Sequence, residues 1–489
     1  MSPRTPSLAA AIALALCTLS VQAADAPRST AAKPSRFAQD PYPSTYRAIV
    51  SPTVLIENAT VLTGTGTRID DADVLIVDGR IRAVGSALEA PADAQRIDAR
   101  GKWVTPGIID VHSHLGVYAS PGVNAHSDGN EATAPVTANV WAEHSVWPQD
   151  PGFDAARAGG VTSLQVLPGS ANLVGGRGVT LKNVPATSYQ AMKFPGAPWG
   201  MKMACGENPK RVYGQKSGPS TRMGNVAGYR AAFIDASEYL RKSYPNGSAS
   251  NKTAPTKRRW WQSASDAVDS EKDSGGKRDL KLDTLAGAIH GDILVHIHCY
   301  RADEMMTMLD LAKEFGFKVA AFHHGTEAYK VADRLAADGV CGALWADWWG
   351  FKMEAFDGIQ ENIALVDRPA NGCAIVHSDS SEGIQRLNQE AAKVMANAAR
   401  AGIPVAPERA IRWLTANPAK SMGILDQTGT LEAGKMGDVV VWSGNPFSVY
   451  AKAEQVYVDG ARVYDRTRRD VLPSSDFMLG QPVLSGGVL

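Results

Sequence analysis

Val104-Thr105-Pro106-Gly107-Ile108-Ile109-Asp110-Val111-His112-Ser113-His114 is the stretch that decides the fold. An apolar, β-branched run after a Pro-Gly pair reads as a buried strand. Residues two apart on a strand point to the same side, so His112 and His114 can reach one metal ion from adjacent levels. Neutral imidazoles are good ligands for zinc and its neighbours.

The chain has 10 histidines. Seven of them (His112, His114, His296, His298, His323, His324 and His377) fall at or near the ends of runs that read as strands. Those runs include Ile293 to His298, Val319 to His324, Val340 to Trp345 and Ala374 to His377. Between them lie helical patterns, with Met305, Met308, Leu309, Ala312 and Phe315 at one spacing and Ile384, Leu387, Ala391 and Val394 at another. Strand–helix alternation over the middle of the chain predicts an α/β barrel or open sheet. Histidines gathered at the C-terminal ends of different strands are where barrel active sites are built.

The flanks differ from this middle. Val54 to Ile56, Thr60 to Leu62, Val74 to Val77 and Ile81 to Val84 are short β-type runs, and Asp78-Gly79 is a two-residue hairpin signal. Asp438 to Trp442 and Val456 to Tyr464 read the same way near the other end. Residues 210–283 are polar and read as an insertion carrying one helix over Val226 to Leu240.

The lead-in and the His-x-His pair resemble the first-strand signature of the amidohydrolase superfamily, closest to its imidazolonepropionase-like and prolidase-like group. The later order agrees: a carboxylate near the fourth strand, a His ending the fifth, a His ending the sixth, an Asp ending the eighth. Gly429 to Asp438 is similar to that family's return into a small β-sandwich. The resemblance implies a (β/α)8 TIM-type barrel over 106–419, with the insertion at about 210–283. It implies a β-sandwich composed of 53–105 and 420–466, leaving a tail at 467–489.

The resemblance also implies a ligand set for two divalent ions, zinc by preference: His112, His114, Glu207, His298, His324 and Asp379, with Asp379 as proton shuttle. His323 and His324 must face opposite sides of an extended strand, so only one enters the barrel. His296 and His298 share a face, and His298 is preferred as nearer the strand end; His377 stands in the same relation to Asp379. For the fourth strand, family members use either a carboxylated lysine or a glutamate. Glu207 is preferred to Lys202 because it sits at the loop edge and needs no modification. The segment after it, with Arg211 and Tyr213, is expected to line the mouth and hold a substrate carboxylate.

These assignments predict hydrolysis of an amide C–N bond in a small substrate, a dipeptide or an N-acyl amino acid, by a metal-activated water. A cyclic amide is the nearest alternative. A mononuclear deaminase is disfavoured because Arg301 stands where such enzymes carry a glutamate, and a non-catalytic barrel would be expected to lose ligands.

Lys+Arg 50 against Asp+Glu 50 gives no net charge and no reason to expect nucleic acid as partner. Arg4, the apolar run Leu8 to Leu19 and Val21-Gln22-Ala23 read as a signal peptide over residues 1–23, which predicts a periplasmic or secreted protein. No later stretch is long and apolar enough for a membrane span. Cys205, Cys299, Cys341 and Cys373 could pair in an exported protein, but their placement in apolar runs favours buried free thiols. Homo-oligomerisation is left open.

Overall fold

Pro106 and Gly107 mark the point where one sheet hands the chain to another. The computed structural model describes residues 35, 37, 39–243, 277–348 and 350–467, which belong to one compact unit. The expected signal peptide, nearly all of the expected tail and the centre of the expected insertion lie outside these residues.

The inner sheet has eight strands: β1 (Ile108–Ser113), β2 (Val161–Val166), β3 (Val174–Lys182), β4 (Trp199–Ala204), β5 (Ile293–His298), β6 (Val319–His323), β7 (Cys341–Leu344) and β8 (Ala374–Val376). They are hydrogen-bonded in simple chain order, giving a nearly closed, barrel-like sheet of TIM type. Strands β1 to β4 are buried along their whole length, as continuous apolar runs require when both faces are covered. Each buried Val, Ile or Leu stabilises this layer by roughly 1.5–3 kcal/mol.

The expectation of parallel strands throughout fails at one place: β3 runs antiparallel to both β2 and β4. The short link between β2 and β3 carries no crossover helix, and without one a neighbouring strand must run back the other way. The ends of the sheet are drawn together beyond β8. Asp379 N–H donates to the His112 carbonyl at 3.0 Å. Ser378 donates from its amide and its hydroxyl to the buried Asp110 carboxylate.

Helices form the outer layer. The helix Ala302–Phe315 buries Met305, Met308, Leu309 and Ala312, the predicted stripe. The helix Arg222–Ser243 contains the expected Val226–Leu240 segment. It is no loose excursion: Tyr229, Phe233 and Ala236 are buried, and Phe233 stacks on Phe317 with ring centroids 4.6 Å apart. Among the described residues no helix is long and apolar enough to cross a membrane.

Both flanks join in a second sheet. Its order runs Ala461–Asp465, Ala453–Val458, Val439–Trp442, Trp103–Pro106, Val54–Leu62, Arg68–Val77, Arg80–Gly85, with Gln95–Asp98 beside Val54–Leu62. Asp78 and Gly79 take φ of 51° and 74°, the left-handed pair a two-residue hairpin needs. Val54, Val61, Val74, Val104, Val439 and Tyr457 share one apolar cluster, so neither flank has a core without the other.

Two features tie this sheet to the inner one. Gly107 N–H donates to the Asp438 carbonyl at 2.9 Å, and a Cβ there would collide with Thr162. Lys182, buried at the end of β3, lies 2.8 Å from Asp459 and 3.4 Å from Asp438.

The cysteines are paired, against expectation: Cys205 with Cys299 and Cys341 with Cys373. Cys205 and Cys299 each follow the last residue of a strand, and those strands, β4 and β5, are neighbours. Adjacent strand ends hold the Cα atoms 5.2 Å apart, within bonding reach.

Candidate metal centre

His112 and His114 stand at the end of β1, on the same side, as their spacing requires. His114 Nδ1 lies 2.9 Å from the Leu167 carbonyl, which fixes its proton there and turns Nε2 to Asp379 Oδ1 at 3.0 Å. His112 is fully buried, with Nε2 3.5 Å from the same carboxylate oxygen. His324 Nε2 is 3.8 Å from Asp379 Oδ2. His298 packs against His324 with ring centroids 5.0 Å apart. Five of the six expected ligands therefore meet at the strand ends.

The strand-alternation argument fails at two of them. His324 and Asp379 adopt φ of 60° and 51°, left-handed values that break the extended pattern. For a non-glycine residue this costs on the order of 1–3 kcal/mol, and such strain gathers at functional sites. As a result both His323 and His324 face inward, where only one was expected to. His323 Nδ1 lies 2.9 Å from His112 Nδ1, and its Nε2 lies 3.0 Å from His296 Nδ1. His296 and His323 thus continue a chain of imidazoles behind His112. If His112 Nε2 is to offer a lone pair, its Nδ1 must carry the proton, and His323 is placed to accept it. His377, set aside in favour of Asp379, stacks on His112 at 5.4 Å and lies 4.7 Å from His324.

Two groups of side chains bring donor atoms within 4.8 Å of one another: His112, His324 and His377, and His112, His114 and Asp379. His298 Nδ1 and His324 Nδ1 are buried without a hydrogen-bond partner among the described residues. The two convergent groups, three imidazoles in one and two imidazoles with a carboxylate in the other, are donor sets that fit a borderline metal such as zinc.

Glu207 stands apart from this cluster. It opens the helix Glu207–Tyr213, is partly exposed, and lies 3.4 Å from Lys352. Lys202 takes the inner position instead: on β4, level with His296 across the pair with β5, fully buried, Nζ 3.5 Å from His112 Nε2. The reason is local. β4 ends at Ala204, and Gly206 with φ of 78° turns the chain before Glu207 begins the helix. The expected anchoring pair is misplaced too: Arg211 is exposed, Tyr213 is buried, and neither lines the cavity.

Burial governs the charges. It lowers the pKa of His112, His298, His323 and His324, with Lys202 adding to the effect, and so keeps these imidazoles neutral and able to ligate. It pushes Lys202 down to about 7, with Asp379 opposing. Burial raises Asp379, but the hydrogen bond and charge of His114 outweigh it and hold the carboxyl below its ordinary value.

A cavity of about 740 Å³ opens over His114, His298 and Asp379. Tyr300, Trp345, Trp348 and Phe351 supply an aromatic side to it, and Lys352 a cation. None of these residues was singled out in the sequence, although the Trp-rich run after β7 is a visible signal.

Residues 374–464 match the profile of the amidohydrolase family. Amidohydrolase tasK of Hapsidospora irregularis is 33% identical over 442 residues, covering 84% of this chain; the chain spans only 43% of that protein's length. Imidazolonepropionase of Mesorhizobium japonicum is 24% identical over 405 residues, 79% of this chain and 87% of that protein. Among solved structures, an amidohydrolase from Thermotoga maritima MSB8 shares 35% identity at a TM-score of 0.73, over 84% of this chain and all of the other.

Proposed function

This chain belongs to the amidohydrolase family, and on that premise we propose that it is an exported, metal-dependent hydrolase of a small amide, a dipeptide or an N-acyl amino acid. The observation that carries this is the meeting of His112, His114 and Asp379 with buried Lys202 at the floor of an open cavity.

The residues proposed to hold two divalent ions are His112, His114, His298, His324 and Asp379, with Lys202 in the place first given to Glu207. A buried amine with its pKa near neutrality can take up CO2 as a carbamate with loss of a proton, which would give the site a carboxylate that Glu207 does not supply. Ions bound there would polarise a substrate carbonyl and acidify water. Asp379 would take the proton of the attacking water and deliver it to the leaving nitrogen. His114 Nε2 lies 3.0 Å from this carboxylate, so the two would face the same ion. His323 and His296 would act from behind, fixing the tautomer of His112.

The match over most of imidazolonepropionase favours a second reading, hydrolysis of a cyclic amide. A deaminase finds less support, since Arg301 is engaged with Asp303 at the start of a helix. Two disulfides fit the oxidising compartment that export implies. We also read the flanking sheet as closing on its apolar cluster as a sandwich.

The test is release of free amine from a panel of dipeptides, N-acyl amino acids and cyclic amides by purified protein. Linear amides should be cleaved, with the metal-stripped protein silent on the same panel. Cleavage of cyclic amides alone would move the assignment to the second reading. Deamination products without any amide cleavage would sink both.

A further inference from the structure

We propose that the amine half of the substrate is an aromatic amino acid with a free carboxylate, its ring against Trp345, Trp348 and Phe351 and its carboxylate on Lys352. This deepens the amide-hydrolase reading and rests on it for the location of the scissile bond.

The aromatic side begins at the cluster itself. Trp345 stacks on His324 with centroids 4.4 Å apart, and its indole N–H donates to the Ser378 carbonyl at 3.2 Å, which fixes the ring. Trp348 lies 5.6 Å from Trp345, and Phe351 meets Trp345 edge-on at 5.8 Å. Tyr300 completes the group, edge-on to Phe351 at 6.3 Å. Trp348 and Phe351 remain 40% and 58% exposed while lining the cavity. Large apolar rings kept in water at the mouth of a polar site are characteristic of a surface that a flat apolar group covers.

Lys352 supplies the polar half. Its Nζ lies 4.8 Å over the Tyr300 ring and 3.0 Å from Asn208 Oδ1, and the Asn208 amide reaches His298 Nε2 at 3.3 Å. Only one side-chain amide therefore separates the ammonium from the ligand cluster. A carboxylate held on Lys352 would sit beside that cluster, on the cavity that both Lys352 and His298 line. Glu207 at 3.4 Å takes a second of the three ammonium donors, which leaves one for a ligand. Two carboxylates line the cavity, and neither stands alone: Asp347 is paired with Lys393 at 2.8 Å, and Asp379 lies 3.0 Å from His114 within the ligand cluster.

Binding, read apart from turnover, tests this. Calorimetry on the metal-loaded protein would compare 3-phenylpropanoate with propanoate, which lacks the ring, and 3-phenylpropanamide, which lacks the charge. The ring and the charge should each strengthen binding by about tenfold or more. Trp348→Ala and Phe351→Ala should erase the ring preference and spare the carboxylate preference. Lys352→Gln should do the reverse, which separates Lys352 from direct carboxylate binding by metal. Equal binding of the three compounds by the unmodified protein would overturn the proposal without recourse to any variant. A carboxylate preference that survives Lys352→Gln would overturn the anchoring role. Full ligand selectivity in a protein that cleaves no amide would instead overturn the hydrolase reading and leave the aromatic site standing.

Discussion

Asp379→Asn should lower kcat by about 10²–10⁴ while leaving most bound metal in place, the range general acid–base catalysis is worth. The amide keeps the size of the carboxylate and one coordinating oxygen, but it cannot accept a proton from water and return it to a leaving amine. KM should change much less, because contacts made in the ground state survive. Metal content and kcat need to be measured on one sample, so that loss of an ion is not mistaken for loss of a base. A fully metallated variant with unchanged turnover would remove Asp379 from the mechanism and make His377, which faces the same cluster, the next base to test.

Lys202→Ala should cost at least one ion and about 10³ or more in activity, several kcal/mol of lost charge stabilisation. Acetate, propanoate or bicarbonate should restore part of that activity by supplying a carboxylate in place of the proposed carbamate. Mass analysis under native conditions should find the mass of one CO2 on the unmodified protein and none on the variant. Glu207→Gln should keep its ions, because Glu207 bonds Lys352 at the cavity edge rather than the histidines. The opposite pattern, ions lost from Glu207→Gln and kept in Lys202→Ala, would return the role to the glutamate.

The difference between those two residues shows where sequence reading reaches its limit. His112 and His114 were legible because a regular strand fixes which side each residue faces, and the Pro-Gly lead-in marked the strand start. Glu207 looks the better ligand in sequence because strand ends are hard to place within a residue or two, and a modification-free ligand is the simpler choice. A signal for Lys202 was present: a lysine inside the wholly apolar run Trp199 to Ala204, with no acid beside it, is costly unless the site uses it.

The alternation rule worked only while the backbone stayed extended. It failed at His324 and Asp379 because their left-handed φ values arise from the surrounding packing and leave no glycine as a sign. The disulfides were missed for a related reason. Cysteine spacing along the chain says little until β4 and β5 are known to be neighbours, and then both bridgeheads fall at matched strand ends. The antiparallel β3 follows from a connection too short for a helix, and the composition of the strand itself does not announce it.

His112, His114, His298, His324, Lys202 and Asp379 are proposed to form a two-metal hydrolytic site. The most direct test is elemental analysis of the purified protein against amine release on the same sample, before chelation, after it, and after reloading. The purified protein should carry about two divalent ions per chain, lose activity as they are stripped, and recover it with zinc, cobalt or manganese. Undiminished amide hydrolysis by fully stripped protein would contradict the proposal.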